Sequence, residues 1–140
     1  MKVADAMSSY VEFIGADAPV QEAAEMMGEL DVGGLPVGTA EQLEGVVTDR
    51  DLLYRVVARG LDASAVRVRD VLSRPPITCR ESDPLRAVLD MMASHHIRRM
   101  PVLDAAGRVT GWVTLADLSR KLLVEDAALQ GALQRLTEAG

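Results

Sequence analysis

The sequence predicts an α+β fold made of two tandem β-α-β-β-α repeats packed with pseudo-two-fold symmetry, plus a C-terminal helix. The first observation is self-similarity. Residues 3–37 match residues 65 positions later, and one extra residue in the second loop makes the later offset 66. The second observation is that one string occurs twice, at 45–51 and 111–117, as a short apolar run that ends in threonine with an aspartate three residues on. Because a half of about 60 residues buries little core alone, the halves should pack together around a shared cleft.

The first half of each repeat is predicted from short apolar runs and from proline. Runs at 11–14 and 77–79 predict an opening β-strand. Pro19 and Pro84 follow, each at a predicted first helical position, where a missing backbone N–H costs nothing. Apolar residues then recur at helical spacing in both copies, which predicts an amphipathic helix.

The second half of each repeat is predicted as a strand, a turn, a return strand and a second helix. The Leu/Met-Pro-Val strings at 35–37 and 100–102 begin the first of these strands. The return strands end at Thr48 and Thr114, and the helices after them run to about residues 59 and 123.

The C-terminal residues predict a separate amphipathic helix, because Leu129, Leu133 and Leu136 fall on one helical face. We expect this stripe to dock on its own chain or on another subunit. The predicted organisation is repeat 1 at 1–60, a linker at 61–67, repeat 2 at 68–124 and the amphipathic helix at 125–140.

Composition excludes several classes of function. The formal net charge of −6 argues against sequence-independent binding to nucleic acid and against binding to anionic membranes. No stretch approaches the roughly 20 apolar residues of a membrane span, and no signal-peptide pattern opens the chain. The single cysteine, Cys79, cannot form an internal disulfide, so a reducing cytoplasm is the expected compartment.

The repeated threonine and aspartate allow two interpretations. A strand that ends at Thr48 or Thr114, followed by a helix with Asp51 or Asp117 in its first turn, presents a hydroxyl, a carboxylate and free helix N–H groups at one point. That set of groups suits a phosphorylated ribose. The same spacing is also a variant of the capping box, which stabilises a helix by about 1 kcal/mol without any ligand.

These strings, taken together, resemble a known family. The segment Val32-Gly33-Gly34-Leu35-Pro36-Val37 with residues 45–52, and the segment Ile97-Arg98-Arg99-Met100-Pro101-Val102 with residues 111–118, are similar to the cystathionine-beta-synthase (CBS) domain pair, or Bateman module. The resemblance covers nearly everything from residue 3 to about residue 123.

The resemblance implies a non-catalytic regulatory module for AMP, ADP, ATP or S-adenosylmethionine, bound in two clefts between the repeats. It implies no required cofactor and no metal site. It also implies a homodimer whose geometry or partner affinity changes with the ligand. In each cleft the aspartate is expected on the ribose hydroxyls and the threonine near phosphate.

Carried over to this chain, the resemblance implies two unequal clefts. One would use Thr114 and Asp117, with Arg98 and Arg99 toward phosphate and Val32, Gly33 and Gly34 of the other repeat against the base. The second would use Thr48 and Asp51, with Ile77 and Ile97 nearer the base and Arg50 as the compensating cation. We expect the Thr114 cleft to hold the more highly phosphorylated ligand, because the second repeat has arginines where the first has glycines.

Two alternatives remain at this point. A structural or protein-interaction module of the same fold could have lost the ligand and use its C-terminal helix to dock an unidentified protein partner. A small hydrolase or metal enzyme would need Cys79 and His95. Since His95 and His96 are adjacent, they lie about 100° apart on a helix and cannot chelate one ion as an i, i+4 pair would.

Overall fold

The computed structural model describes residues 1–139, except for the side chains at positions 129, 138 and 139. The first repeat contains helix α1 (Val20–Leu30), the antiparallel strands β1 (Gly34–Gly38) and β2 (Leu43–Thr48), and helix α2 (Asp49–Leu52), which continues into a π-helical turn (Leu53–Val57).

The second repeat follows the same order with one more short strand. Strand β3 (Cys79–Arg80) precedes helix α3 (Leu85–His95), and strands β4 (Arg99–Leu103) and β5 (Val109–Thr114) precede helix α4 (Leu115–Ala139). Strand β3 lies parallel to β4, and β4 lies antiparallel to β5. The pairing of Gly34 with Thr48 in one sheet corresponds to that of Arg99 with Thr114 in the other, so the predicted duplication and α+β class are confirmed.

The leading segments of the two repeats (2–8 and 67–73) are exchanged. Val3, in a 3₁₀ turn, is buried in the core of the second repeat, and Val68 is buried in the core of the first. Backbone hydrogen bonds fix the exchange, because Ser8 pairs with Trp112 on β5 and Ser73 pairs with Val46 on β2. Each repeat is therefore completed by a piece of the other.

The glycine of the repeated string is explained by this exchange. An alanine Cβ at Gly45 would lie 2.5 Å from the carbonyl oxygen of Ser73. At Gly111 it would collide with the sulfur of Met7 and lie 3.1 Å from the carbonyl oxygen of Ser8. Strands β2 and β5 thus need glycine where the exchanged segment crosses their backbone.

Three predicted elements differ in the structure. Residues 11–14 form no strand and contribute a single bridge, between Ile14 and Val37, while the strand predicted at 77–79 shortens to Cys79–Arg80. The second helix of the second repeat does not end near residue 123 but continues to Ala139 as one helix of 25 residues. No glycine or proline interrupts 115–130, and Gly131 lies within the helix without ending it. The C-terminal helix is therefore present, but as an extension of α4.

The predicted apolar stripe of the extension is exposed at Leu133 (53 %) and Leu136 (73 %), while the side chain of Leu129 lies outside the described part. The organisation into 1–60, 61–67, 68–124 and 125–140 stays a prediction. Within residues 1–139, no helix combines the length and the apolar character needed to cross a membrane.

Candidate functional site

The repeated threonine and aspartate form a closed capping box in the first repeat. The Thr48 backbone N–H donates to Asp51 Oδ2 at 2.9 Å, and the Asp51 N–H donates to Thr48 Oγ1 at 3.1 Å. Asp51 is only 6 % exposed. Its second oxygen accepts a hydrogen bond from Ser73 Oγ at 3.0 Å and lies 3.6 Å from a guanidinium nitrogen of Arg55. Asp51 is therefore fixed between helix α2 and the exchanged leading segment.

The second repeat has the same capping box in a more open setting. The Thr114 N–H donates to Asp117 Oδ2 at 3.0 Å, and the Asp117 N–H donates to Thr114 Oγ1 at 3.2 Å. The other oxygen of Asp117 pairs with Arg120 on the same helix. In both repeats the threonine and aspartate cap a helix, as one of the two interpretations predicted, and each pair also lines a cavity between the repeats.

The cavity beside Thr48 and Asp51, called here the Thr48 cavity, has a volume of about 530 Å³. This is within the range of about 300–1,000 Å³ that is usual for small-molecule sites. The first repeat contributes the capped end of helix α2, including Arg50. The second repeat contributes the facing wall, formed by Ile77, Ile97, Arg98 and Arg99.

The cavity beside Thr114 and Asp117, called here the Thr114 cavity, has a volume of about 270 Å³ and is related to the first by the repeat. Its facing wall comes from the first repeat and includes Val32 and Gly34. A third, more open cavity holds Gly33 and Thr114 together with Arg98 and Arg99. All the residues predicted as ligand contacts thus lie at the boundary between the repeats.

Arg99 crosses from the second repeat to the first. Its Cδ lies 2.6 Å from the position that a Cβ on Gly34 would take, and a guanidinium nitrogen lies 2.5 Å from the equivalent position on Gly33. Burial lowers the pKa of Arg99, while the nearby charge of Asp49 acts against that shift. Since a guanidinium keeps its proton in proteins, Arg99 brings a partly desolvated positive charge to the boundary.

Arg98 and Arg99 lie beside two of the three cavities described, the Thr48 cavity and the third cavity. Arg98 and Arg99 line the Thr48 cavity, with Ile77 and Ile97, and of the two cavities related by the repeat only this one contains them. The reason is side-chain direction. Arg99 pairs with Thr114 across the sheet, but its side chain extends over the glycines of the other repeat. Because Thr114 also lies with Arg98 and Arg99 in the third cavity, the expectation that the Thr114 cleft holds the more highly phosphorylated ligand stays a prediction.

Sequence reasoning missed several wall residues. Ser73, which holds Asp51, lines the Thr48 cavity, and Tyr10, Glu12 and Trp112 line the Thr114 cavity. The match of Ser8 with Ser73 at the repeat offset was a usable signal for the serine, because it marks the segment that crosses beside each cap.

Cys79 has none of the properties of a reactive nucleophile. It is buried, and burial raises the pKa of its thiol to about 12, with a smaller contribution from the charge of Asp83. A thiol with that pKa contains almost no thiolate at neutral pH. Within the described part of the chain, no group of three or more histidine, cysteine or acidic residues is arranged to hold a metal ion.

Comparisons with known proteins agree with this architecture. The family model for the CBS domain matches twice, at residues 3–58 and 68–124. The CBS domain-containing protein YhcV of Bacillus subtilis is 32% identical over 126 residues, which are 90% of this chain and 89% of that protein. Hypoxic response protein 1 of Mycobacterium tuberculosis is 34% identical over 120 residues, which are 84% of this chain and 82% of that protein.

A solved structure also resembles the chain. The CBS domain pair of protein MJ0100, in complex with 5′-methylthioadenosine and S-adenosyl-L-methionine, superposes with a TM-score of 0.78 at 26% identity. The match covers 87% of this chain and 99% of that one. With two matched repeats, an exchanged leading segment in each and a capped cavity between them, the chain belongs to the CBS domain family.

Proposed function

We propose that the chain is a regulatory module that binds an adenosine-containing ligand between its two repeats and catalyses no reaction. The observation that carries the proposal is the Thr48 cavity, where a hydroxyl and a carboxylate of one repeat face apolar and cationic side chains of the other. The complex of the MJ0100 domain pair with two adenosine compounds supports the choice of ligand.

Each part of such a ligand has a matching group in the Thr48 cavity. The Asp51 carboxylate suits ribose hydroxyls, and Ile77 and Ile97 offer an apolar surface for the base. Four arginines against two aspartates line this cavity, so an anionic substituent is favoured there. We therefore assign AMP, ADP or ATP to the Thr48 cavity, with Arg98 and Arg99 toward the phosphate.

Ligand binding acts on the repeat boundary, and the readout proposed is a change in dimer geometry or in affinity for a protein partner. Exposed apolar side chains support a homodimer. Tyr54 and Val57, after α2, are 57 % and 67 % exposed, and Leu123 and Val124, on α4, are 67 % and 65 % exposed. The acidic balance of the chain and its single buried cysteine favour a cytoplasmic location and no nucleic-acid partner.

Calorimetric titration with AMP, ADP, ATP and GMP tests the proposal. We expect an adenine nucleotide to bind and the Arg99→Gln variant to bind it about 10- to 100-fold more weakly, because one charge-assisted hydrogen bond is lost. Arg86→Gln is the matched control, since Arg86 is an exposed arginine of the same repeat that lies outside the cavities described. If the Arg99→Gln variant bound the nucleotide as tightly as the parent does, Arg99 would not be part of the binding site. If neither these adenine nucleotides nor S-adenosylmethionine bound, only the capped structural module would remain.

A further inference from the structure

Helix α2 with its π-helical turn and helix α4 occupy equivalent places in the two repeats, and both leave apolar side chains uncovered. The repeat offset of 66 matches Val57 with Leu123 and Ala58 with Val124. Val57 and Leu123 are each 67 % exposed. Exposed apolar side chains that recur at the same place in both repeats indicate a surface that another molecule covers.

These positions define two faces. The repeat-1 face consists of Val57, Ala58, Arg59 and Leu61. The repeat-2 face consists of the equivalent part of α4, namely Leu123, Val124, Glu125, Asp126 and Ala127. Within one chain neither face covers the other, because the apolar side chains of both remain exposed.

The two faces carry opposite charge at matched positions. Arg59 corresponds to Glu125, and Gly60 corresponds to Asp126. None of these three charged side chains forms a hydrogen bond or an ion pair with another residue of the described chain. The repeat-1 face therefore presents an unpaired cation and the repeat-2 face two unpaired carboxylates, so each face attracts the other and repels a copy of itself.

The two faces also differ in size. Val57 and Leu61 are large side chains that project from the repeat-1 face, and the N–H of Leu61 donates to the carbonyl oxygen of Val56 at 3.0 Å, which keeps Leu61 beside the turn. On α4 the equivalent of Leu61 is Ala127, and Gly131 adjoins it one turn later. Projecting side chains pack well on a helix surface of small residues, because interdigitation leaves few voids.

We propose that two copies of the chain form an antiparallel dimer in which the repeat-1 face of each copy packs on the repeat-2 face of the other. Arg59 of one copy then meets Glu125 and Asp126 of the partner subunit, and the two-fold axis makes each contact occur twice. A parallel dimer would instead place each face against its own copy, with like charges together.

The charged and small residues of the repeat-2 face lie outside the matched domain. The CBS family model ends at residue 124, and Glu125, Asp126 and Ala127 follow it on the extension of α4. The orientation of the dimer is therefore set by the part of α4 that this chain adds to its second repeat. The inference rests on the homodimer of the proposed function and does not depend on which ligand is bound.

Crosslinking of two single-substitution chains tests the orientation. One chain carries Val57→Cys, and the other, lengthened by a tag, carries Leu123→Cys. Cys79 is buried, and the parent chain controls for it. With a short bismaleimide and no ligand, we expect crosslinks only in the mixture, each joining one chain of each length. Crosslinking of Val57→Cys chains to one another, or no crosslink in the mixture, would overturn the inference.

Charge inversion tests the contact itself by sedimentation equilibrium. Arg59→Glu replaces attraction by repulsion at both contacts, so we expect the dissociation constant of the dimer to rise about 10-fold or more. Adding Glu125→Arg to Arg59→Glu should recover most of that loss. Arg86→Glu makes the same change of net charge at an exposed position of α3 and should leave the constant within about twofold of the parent value.

The outcomes separate the inference from the proposed function. A double variant that dimerises no better than Arg59→Glu alone would overturn the antiparallel contact while leaving the homodimer. A parent that is monomeric would overturn the homodimer and the inference together. Nucleotide binding is measured separately by calorimetry, and its failure would overturn the ligand of the proposed function without changing the orientation.

Discussion

At the scale of single residues, Thr48 and Asp51 have a structural role that requires no ligand. They satisfy two backbone N–H groups at the start of helix α2, and Asp51 also fixes the crossing segment through Ser73. A ligand-binding role adds to this one and does not replace it. For that reason a change at Arg99, which caps nothing, separates binding from stability better than a change at Asp51.

Because of Cys79, the free energy of unfolding is expected to decrease as the pH becomes alkaline. Its pKa is about 12 in the folded chain and near the ordinary value of 9.0 when unfolded. Above pH 9 the unfolded chain therefore releases a proton that the folded chain retains, so stability falls as pH rises from 9 toward 12, by about 1.4 kcal/mol per pH unit.

Urea unfolding of the parent and of Cys79→Ala at several pH values between 8 and 10.5 measures this effect. The alanine variant starts from a lower stability, but we expect its stability to fall less steeply above pH 9. Parallel pH profiles for the two proteins would show that the thiol is not responsible.

At the scale of elements, the crossing of each exchanged segment over a strand decides which glycines are required. We expect Gly45→Ala to lower the free energy of unfolding by about 1–3 kcal/mol, because its Cβ would collide with Leu72 and lie 2.5 Å from a backbone oxygen of Ser73. Urea denaturation of the parent and the variant measures the difference.

Gly28→Ala is the opposite control for that prediction. Gly28 is in helix α1, and nothing lies within 4 Å of an added Cβ there. Alanine should therefore stabilise the chain by about 0.5–1 kcal/mol through helix propensity. If both substitutions changed stability in the same direction, the crossing would not explain the glycine of the repeated string.

The elements also show what the sequence could and could not predict. The duplication, the capped helices and the strand pairs follow from local patterns, because the same residue types recur at a fixed offset. The cavities that Arg99 lines depend on the direction of one long side chain across the repeat boundary, and strand register alone did not predict that Arg99 also lines the Thr48 cavity. The continuity of α4 as far as residue 130 was predictable, since 115–130 contain no helix-breaking residue, but its continuation past Gly131 was not.

At the scale of the whole molecule, the exchange of leading segments predicts one cooperative unit. Val3 belongs to the core of the second repeat and Val68 to the core of the first, so neither core is complete without the other half. Trp112 fluorescence, which reports on the second repeat, and far-ultraviolet circular dichroism, which reports on both, should give the same urea midpoint.

The Val68→Ala variant tests by a single substitution whether the two repeats unfold as one cooperative unit. It is expected to lower the midpoint seen by Trp112 about as much as Val3→Ala does, by an amount that corresponds to about 1–3 kcal/mol. Two separate unfolding transitions would show that the repeats unfold independently. A urea midpoint from Trp112 fluorescence that is the same in Val68→Ala and in the parent would show this too.

The exchange of the leading segments also has a consequence for a chain that contains only one repeat. In this structure each leading segment completes the core of the opposite repeat. In a protein with only one repeat, the leading segment would therefore have no core of another repeat to pack into, and the core of that repeat would stay incomplete. Two copies of such a one-repeat protein could complete each other's cores by exchanging their leading segments in the same way. A single repeat expressed alone is therefore expected to form a pair of identical chains, and the presence of both repeats in one chain makes that partnership permanent.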